Sequence, residues 1–426
     1  MKAKLINPPS PFLCDERVFP YLGIVSVATK MRDDGHDVEV IDLAGDKNWV
    51  QTVRHLPKAD MYGVTSTSAQ YKYAHQIGQI LKGRGKTIIG GTHVNNVPTH
   101  DIVNTRDLRV FDTIFKGEGE QYQGVMEAGQ YFDGGIVKNL DDIAVPDRSL
   151  IDINSYKYKI NGQKATILLT QRGCPFTCTF CSGRNNDMYR KSRQHSPKRV
   201  AEELQYLHDT FGFKSFMWFD DEVNINPGRL KEIAERVKNK DWTHRGFVRS
   251  DLIVSHPESL DYLKRIGFTE LAMGVESGSD KVLKTINKGT TRAKNLEAAI
   301  MIKDKGFKLK TFGMIGHPGE TCEDVLATKD FLLKVKPDAF DIAMMQPYPG
   351  SKTYDEAELS NEFKNYPFEF NGLFFNKPRF SKESPFHRGI PGTYNCHVRT
   401  HDLTALAITF LRDKIEKEVK RKLNIK

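Results

Sequence analysis

The chain alternates. Short apolar runs of strand length are followed by amphipathic stretches of helical period, over and over, in two separate blocks. A strand that rejoins its sheet only after a helical crossover runs parallel to the strand before it. This pattern therefore admits α/β architectures and little else. Composition agrees: 39% hydrophobic and 27% charged residues exclude a disordered, collagen-like or disulfide-scaffold chain.

In residues 1–140 the strand candidates are Lys4–Ile6, Val38–Asp42, Tyr62–Thr65, Thr87–Ile89 and Thr113–Phe115. Between them, Tyr71–Leu81 sets Ala74, Ile77, Ile80 and Leu81 on one helical face. Five such strands fit a doubly wound, Rossmann/flavodoxin-like parallel sheet. Ligands of these sheets sit beyond the carboxyl ends of the strands. There the chain places Asn7-Pro8, Ser66-Thr67, Gly90-Gly91 with His93, and Gly117-Glu118. Glycine at these points lets backbone approach a ligand, so these residues are the candidate ligand edge.

Residues 141–163 lack a clear period and read as a linker. Alternation resumes with Ala165–Thr170, Ser215–Phe219, Gly246–Val248, Leu271–Val275, Leu309–Phe312 and Phe340–Met345. Six strand–helix units without reversal, over 164–355, read as a partial (β/α)6 barrel of the TIM type, with chemistry at the carboxyl ends of its strands. Ser196-Pro197 opens one of its helices, an N-cap hydroxyl followed by proline at the first helical position. Residues 356–426 form a small C-terminal extension. Its segment 361–395, rich in Phe, Asn, Pro and Gly, reads as an irregular lid over the substrate. A terminal helix then packs through Leu403, Leu406, Phe410, Val419 and Leu423.

Lys and Arg number 63 against 54 Asp and Glu, a net charge of +9. The excess is scattered and reads as solvated surface, apart from the basic C-terminal helix. A nucleic-acid contact there has no supporting module in the sequence. No uninterrupted apolar run approaches the ~18 residues that suggest a membrane span. The start shows no secretory leader, so the expected location is cytoplasmic.

Three of the six cysteines crowd into RGCPFTCTFCSG as Cys174, Cys178 and Cys181, directly after the first barrel strand. Clustered thiols in a reducing compartment point to a metal or redox centre rather than a disulfide framework. Structural zinc wants four protein ligands, and His195 is the nearest histidine that could complete such a set. An iron–sulfur cubane held by only three cysteines leaves one iron open for a ligand.

The spacing Cys-x-x-x-Cys-x-x-Cys, with Phe180 before the last cysteine, resembles the signature of the radical S-adenosylmethionine (SAM) enzymes. The resemblance implies a 4Fe-4S cluster on Cys174, Cys178 and Cys181 whose open iron chelates SAM, and cleavage of SAM to a 5′-deoxyadenosyl radical. Further stretches resemble the family at successive strand ends. FDDEVNIN offers Asp220, Asp221 and Glu222 for the SAM amino group, and VRSD offers Arg249 for its carboxylate. GVESGSD places Glu276 and Ser277 toward the ribose; GMIGHPGET places Gly316 near adenine; QPYPGSKTY resembles a sixth-strand motif.

The amino-terminal stretches INPP, GVTSTSAQY, IIGGTH and FKGEGE, with LDDIAVPDRSLID after them, resemble the branch with an N-terminal cobalamin-binding domain. No Asp-x-His-x-x-Gly occurs, the motif that supplies a lower cobalt ligand; Asp34-Gly35-His36 reads instead as a helix-to-strand turn. With no second cysteine cluster, a methylthiotransferase acting on transfer RNA is disfavoured. The resemblance thus implies a cobalamin-dependent methyltransferase acting on an unactivated carbon or phosphorus of a small-molecule substrate, fed by an electron donor such as flavodoxin or ferredoxin. Two readings compete with it. One is a cobalamin-independent oxidation, cyclisation or rearrangement at the same cluster. The other is a non-catalytic metal-binding protein.

Overall fold

Parallel strands covered on both faces are apolar without interruption, and β1 (Lys2–Asn7) is buried at every residue after Lys2. It lies inside a six-stranded, all-parallel sheet with β2 (Asp37–Asp42), β3 (Met61–Thr65), β4 (Lys86–Gly90), β5 (Thr113–Gly117) and β6 (Tyr131–Gly135). The spatial order is β2-β1-β3-β4-β5-β6, so the order reverses between β1 and β3. The sequence reading found five of these strands and missed β6. That strand, YFDGG, is a half-exposed edge and carries no apolar alternation. Asp34-Gly35-His36 is the turn expected, with Gly35 at φ +85° between the first helix and β2.

The computed structural model describes residues 1–97, 106–183, 186–377 and 395–425. Among them, Met1–Tyr158 together with Asn186–Met188 form one compact unit, and the other described residues from Lys159 onward form a second. Between the first sheet and the second lie three short 3₁₀ turns, at Leu140–Asp142, Arg148–Leu150 and Ile153–Ser155. Each is capped by the side chain before it, Asn139, Asp147 or Asp152, so this stretch is ordered by local capping rather than by period.

The second unit opens with β7 (Lys159–Ile160) turning back on β8 (Gln163–Leu168) through Asn161 and Gly162, both at positive φ. After the short antiparallel pair β9 (Gln171–Arg172) and β10 (Arg193–Gln194) come β11 (Ser215–Trp218), β12 (Thr243–Val248), β13 (Phe268–Glu276), β14 (Lys308–Ile315) and β15 (Ala339–Met344). The sheet order β15-β14-β13-β12-β11-β8-β7 is parallel from β8 to β15, the six strands of a curled half-barrel. Its helices start where the sequence puts caps. Ser196 accepts from the Arg199 N–H at 3.2 Å, and the helix Pro197–Phe211 ends at Gly212 in the left-handed region.

Two expectations for the C-terminal extension are corrected. The segment 361–395 is not irregular throughout. Its described part contributes to an antiparallel sheet of β16 (Glu358–Leu359), β17 (Phe368–Phe370), β18 (Leu373–Phe375) and β19 (Val398–Thr400). Leu373, Phe374 and Phe375 are all buried there, which explains the phenylalanine content. Residues 378–394 of the expected lid lie outside the described residues. The terminal helix, Ala405–Leu423, packs by Ile408, Arg412, Ile415 and Val419. Leu406 and Phe410 face outward instead, 84% and 64% exposed. The buried Arg412 fits this inner face because its Nε donates to the Ile342 carbonyl at 3.0 Å.

At the amino-terminal end of the barrel strands, His244 stacks on Phe216 and also packs against Phe268 and Trp242. Its Nδ1 accepts from Trp218 Nε1 at 2.9 Å, so the ring must be neutral to keep that lone pair. Burial pushes its pKa down to about 3. The unfolded chain takes up a proton near the ordinary value of about 6.5 that the native state excludes. Stability from this residue is complete above that value and falls by about 1.4 kcal/mol per pH unit as pH drops toward the folded value. His244→Phe should flatten the acid limb of denaturant unfolding, compared at pH 7 and 5, by one proton. It should also cost about 1–3 kcal/mol at pH 7, because the Trp218 N–H loses its acceptor, and about 2 kcal/mol less than that at pH 5, where the native histidine has already lost its own contribution.

Candidate active site at the barrel strand ends

The three clustered cysteines sit on the loop that follows β8 and β9. None of the three is in a disulfide; Cys174 and Cys178 are buried and Cys181 is partly so. The loop is held from outside itself. Cys174 N–H donates to the Tyr189 carbonyl and Thr179 N–H to that of Ile286, both at 2.9 Å. The Thr179 carbonyl accepts from both the N–H and the hydroxyl of Thr353 at 3.0 Å. Ser182 Oγ donates to the Pro349 carbonyl at 2.9 Å. QPYPGSKTY is therefore a clamp on the cysteine loop. So is Asn287, whose amide donates to Thr177 Oγ1 at 2.8 Å.

Phe180 packs on Val282, Leu283 and Ile286, which fixes the loop between its second and third cysteines. Among the described residues no three His, Cys, Asp or Glu side chains stand close enough to grip a metal ion as they are. Thiol ligands lose their protons as metal binds, and the surroundings suit that charge. Arg249 Nη1 lies 3.8 Å from Cys178 Sγ. Burial opposes the ammonium of Lys288, yet Glu276, Cys178 and Glu222 together hold it above the usual lysine range. Three soft donors beside two buried cations fit an anionic iron–sulfur cluster.

Arg249 corrects one expectation. Its Nε and Nη2 grip the Asp251 carboxylate at 2.9 and 3.1 Å, and Nη2 also donates to the Lys288 carbonyl at 2.5 Å. The guanidinium lies 3.5 Å over the Phe176 ring. With its donors engaged, it positions the cysteine loop rather than offering a free fork to a carboxylate.

The acidic trio after β11 divides in the same way. Asp220 accepts from Thr170 N–H at 2.6 Å, from Gln171 N–H at 3.0 Å and from the Thr170 hydroxyl. It is a buried anchor for the end of β8, and burial pushes its pKa up to about 6 against Arg229 and these bonds. Asp221 is exposed. Glu222 is the member aimed inward: its Oε2 is buried without a hydrogen-bond partner. Burial pushes it up to about 8, although Lys288 and Arg249 pull the other way.

Glu276 ends β13 at φ +56°, where the register against β14 slips, and pairs with Lys288 at 2.8 Å. A non-glycine residue held in this region is strained, and such strain gathers at functional sites. Ser277 is a second correction. It is fully buried, its Oγ accepts from the Ser279 N–H at 3.1 Å and lies 3.3 Å from Thr328 Oγ1, so it serves packing rather than a ribose.

Gly316 follows β14 at φ +87°; a side chain there would press on Ile408 and Val398. Its N–H and that of His317 donate to Glu320 Oε2 at 2.5 and 3.1 Å. Glu320 is fully buried, is pushed up to about 8 by burial, and leaves Oε1 without a partner.

Sequence reasoning missed Lys288 and Asn287, which belong to no recognisable motif, and Asp251, which stood inside VRSD. It also passed over His317, which stood inside GMIGHPGET. The His317 ring is fully buried and sits edge-on to Phe180, 5.9 Å between centroids. Neither ring nitrogen has a hydrogen-bond partner. Burial pushes its pKa down to about 4, against Glu276 and the Met314 carbonyl.

At the carboxyl edge of the first sheet the candidate side chains engage one another. Asn7 donates to Asp42 at 2.9 Å, and Gln70 Nε2 reaches Asn7 Oδ1, the Pro8 carbonyl and Ser10 Oγ. Ser66 Oγ donates to the Thr67 carbonyl, and Thr67 bonds Gln70 Oε1. Glu118 accepts from Val137 N–H at 2.7 Å. His93 stacks on Tyr71 with its Nδ1 3.0 Å from Ser68 Oγ. The glycine expectation is corrected too. A Cβ on Gly91 would lie 2.7 Å from Thr65 Oγ1, and one on Gly117 2.7 Å from the Gly135 carbonyl oxygen. These two glycines are required by their own loops. Gly90 has only ordinary contacts.

Residues 168–332, which hold the cysteine loop and four of the strand ends just described, match the radical SAM superfamily. That segment is a radical SAM domain, which implies a 4Fe-4S cluster and SAM as cofactors. The chain is 28% identical over 392 residues to an uncharacterised methyltransferase of Pyrococcus horikoshii, covering 85% of this chain and 84% of that one. It is 27% identical over 340 residues to the anaerobic magnesium-protoporphyrin IX monomethyl ester cyclase of Synechocystis, covering 71% and 66%. Its fold is that of the radical SAM methyltransferase TsrM from Kitasatospora setae, solved with cobalamin and a 4Fe-4S cluster bound. The TM-score is 0.64 at 15% identity, over 82% of this chain and 73% of that one.

A buried histidine with two unsatisfied nitrogens costs stability unless a bound molecule satisfies them. His317→Phe should leave the thermal midpoint unchanged or raised while lowering SAM turnover at least tenfold. Scanning calorimetry beside a 5′-deoxyadenosine assay checks both. A variant that is destabilised but fully active would contradict a ligand-facing role.

Proposed function

We propose that this chain is a cobalamin-dependent radical SAM methyltransferase acting on a small molecule. The observation that carries the reading is the loop of three thiols. It stands at the end of the first barrel strand, inside the matched segment, beside Arg249 and Lys288. A doubly wound sheet precedes that barrel in the chain, and the fold likeness to TsrM spans both. Cys174, Cys178 and Cys181 would hold the cluster. Glu222, with its buried unpartnered oxygen, is the member of the acidic trio best suited to the SAM amino group. Glu276, held by Lys288, would face the nucleoside, and the Gly316 turn would shape its far wall. When bound, the cluster supplies the electron that cleaves SAM, and methylcobalamin supplies a transferable methyl group.

The protein's own work is to hold these partners, keep water out and fix charge. Arg249 and Lys288 offset the negative charge near the thiols. Thr353, Asn287 and Phe180 keep the loop from swinging away. The cobalamin would rest on the strand ends at the β1/β3 switch point, chiefly against backbone, because the side chains there are engaged with one another. The electron would come from a reduced flavodoxin or ferredoxin inside the cell.

Those engaged side chains also favour a second reading. In it the sheet carries no corrinoid, and the radical ends in oxidation, cyclisation or rearrangement.

Cys178→Ala in folded, anaerobically reconstituted protein should abolish 5′-deoxyadenosine formation, and retained cleavage would sink the cluster assignment. Protein from cobalamin-fed cells should carry about one corrinoid per chain and form S-adenosylhomocysteine only with it; corrinoid-free protein with full deoxyadenosine output would select the second reading.

A further inference from the structure

The inner face of the barrel sheet carries a layer of aromatic rings that the cluster and SAM residues leave unused. Period-two alternation sets Arg245 and Phe247 on one face of β12, with Arg249 in step just beyond. Ala272, Gly274 and Glu276 fall on that face of β13, and Lys310 and Phe312 on that face of β14. The residues between them, such as His244, Leu271 and Thr311, are wholly buried on the helix-covered face. Phe247 and Phe312 are only half-buried.

Phe247 and Phe312 flank β13, which adds only Ala272 and Gly274 to this face, so their rings come within 5.8 Å at 44°. Phe219, just past β11, adds a third ring 6.2 Å from Phe247 at 82°. It is 42% exposed, unlike the core aromatics Phe216, Trp218 and Phe268, all of which are buried. Tilted and edge-on contacts leave the ring faces uncovered by one another; the Lys310 ammonium lies 5.0 Å over one face of Phe312, and an aromatic guest can pack against the faces that remain.

Most of the charge on this face is paired. Arg245 meets Glu270 at 2.9 Å and Lys310 meets Asp341 at 2.6 Å, while Lys308, at the amino-terminal start of β14, donates to the Asn161 amide oxygen at 2.9 Å. The layer therefore presents apolar ring surface bordered by two neutralised pairs, its one cation without an acidic partner standing at the end away from the cysteine loop. On the same face, two residues further along each strand direction, stand Arg249 and Glu276 beside the cysteine loop.

We infer that this layer seats the substrate, and that the substrate's body is a planar aromatic or conjugated ring system of low net charge, its reacting edge toward the cysteine loop. The position of that edge rests on the radical SAM reading; the ring-binding face does not.

The test is equilibrium dialysis of the reconstituted holoprotein, with SAM saturating, against 2-naphthol and its saturated counterpart trans-decahydro-2-naphthol. The planar probe should bind at least tenfold more tightly. Phe247→Leu and Phe312→Leu, which keep apolar bulk, should each weaken it by about three- to tenfold. Phe247→Tyr should not. If a Leu variant unfolds, Phe219→Leu at its more exposed position gives the same readout. Equal binding of the two probes, no binding of either up to its solubility, indifference to all three Leu substitutions, or displacement of naphthol by SAM would each overturn the inference. Naphthol binding without SAM cleavage in the unsubstituted protein would overturn the proposed function and leave this inference standing. SAM cleavage without naphthol selectivity would do the reverse.

Discussion

Thr179 is where the cysteine loop is fixed. Its N–H reaches the Ile286 carbonyl and its own carbonyl takes both polar groups of Thr353, a residue 174 positions further along the chain. A loop of this length has too few internal bonds to hold three thiols at one place. Backbone bonds from the segments after β13 and β15 supply what it lacks. The cluster site therefore exists only once the last strands of the barrel have docked, and its geometry is inherited from the whole sheet.

Charge follows from the same closure. Arg249 and Lys288 are buried next to Cys178, and neither could stay charged there alone. Asp251 and Glu276 compensate them at hydrogen-bond distance. Glu222 and Glu320 are treated differently: each keeps one buried oxygen without a partner, and burial raises both toward neutrality at physiological pH. Paired cations near the thiols make a site suited to an anionic cluster. His317, neutral and without partners on either nitrogen, adds polar capacity without charge.

Much of the fold was legible before any coordinates. Strands covered on both faces, such as β1 and β11, carry continuous apolar runs, and β12 and β14 show a clear period of two, so both kinds stand out between helical stretches. β6 escaped because an edge strand such as Tyr131–Gly135 needs no such run. The antiparallel sheet around Leu373–Phe375 escaped because its strands are two or three residues long and leave no period to detect. For the terminal helix the apolar residues were visible but their facing was not. Leu406 and Phe410 look like core in sequence, whereas Arg412 is the residue turned inward.

In the site, the amino-acid sequence by itself determined the chemistry. Three cysteines at that spacing, directly after a strand, can serve one metal centre, and the succession of acidic, basic and glycine motifs marks the strand ends that surround it. Only the tertiary structure decided which member of each motif is available. Asp220 is spent on the backbone of Thr170 and Gln171, and Arg249 on Asp251 and Lys288, while Glu222 is left facing inward. The physical reason is that a hydrogen bond is local in space and not in sequence. Whether a side chain is engaged depends on partners as distant as Lys288, which lies 39 positions from Arg249, and those distances are set by the closing of the sheet.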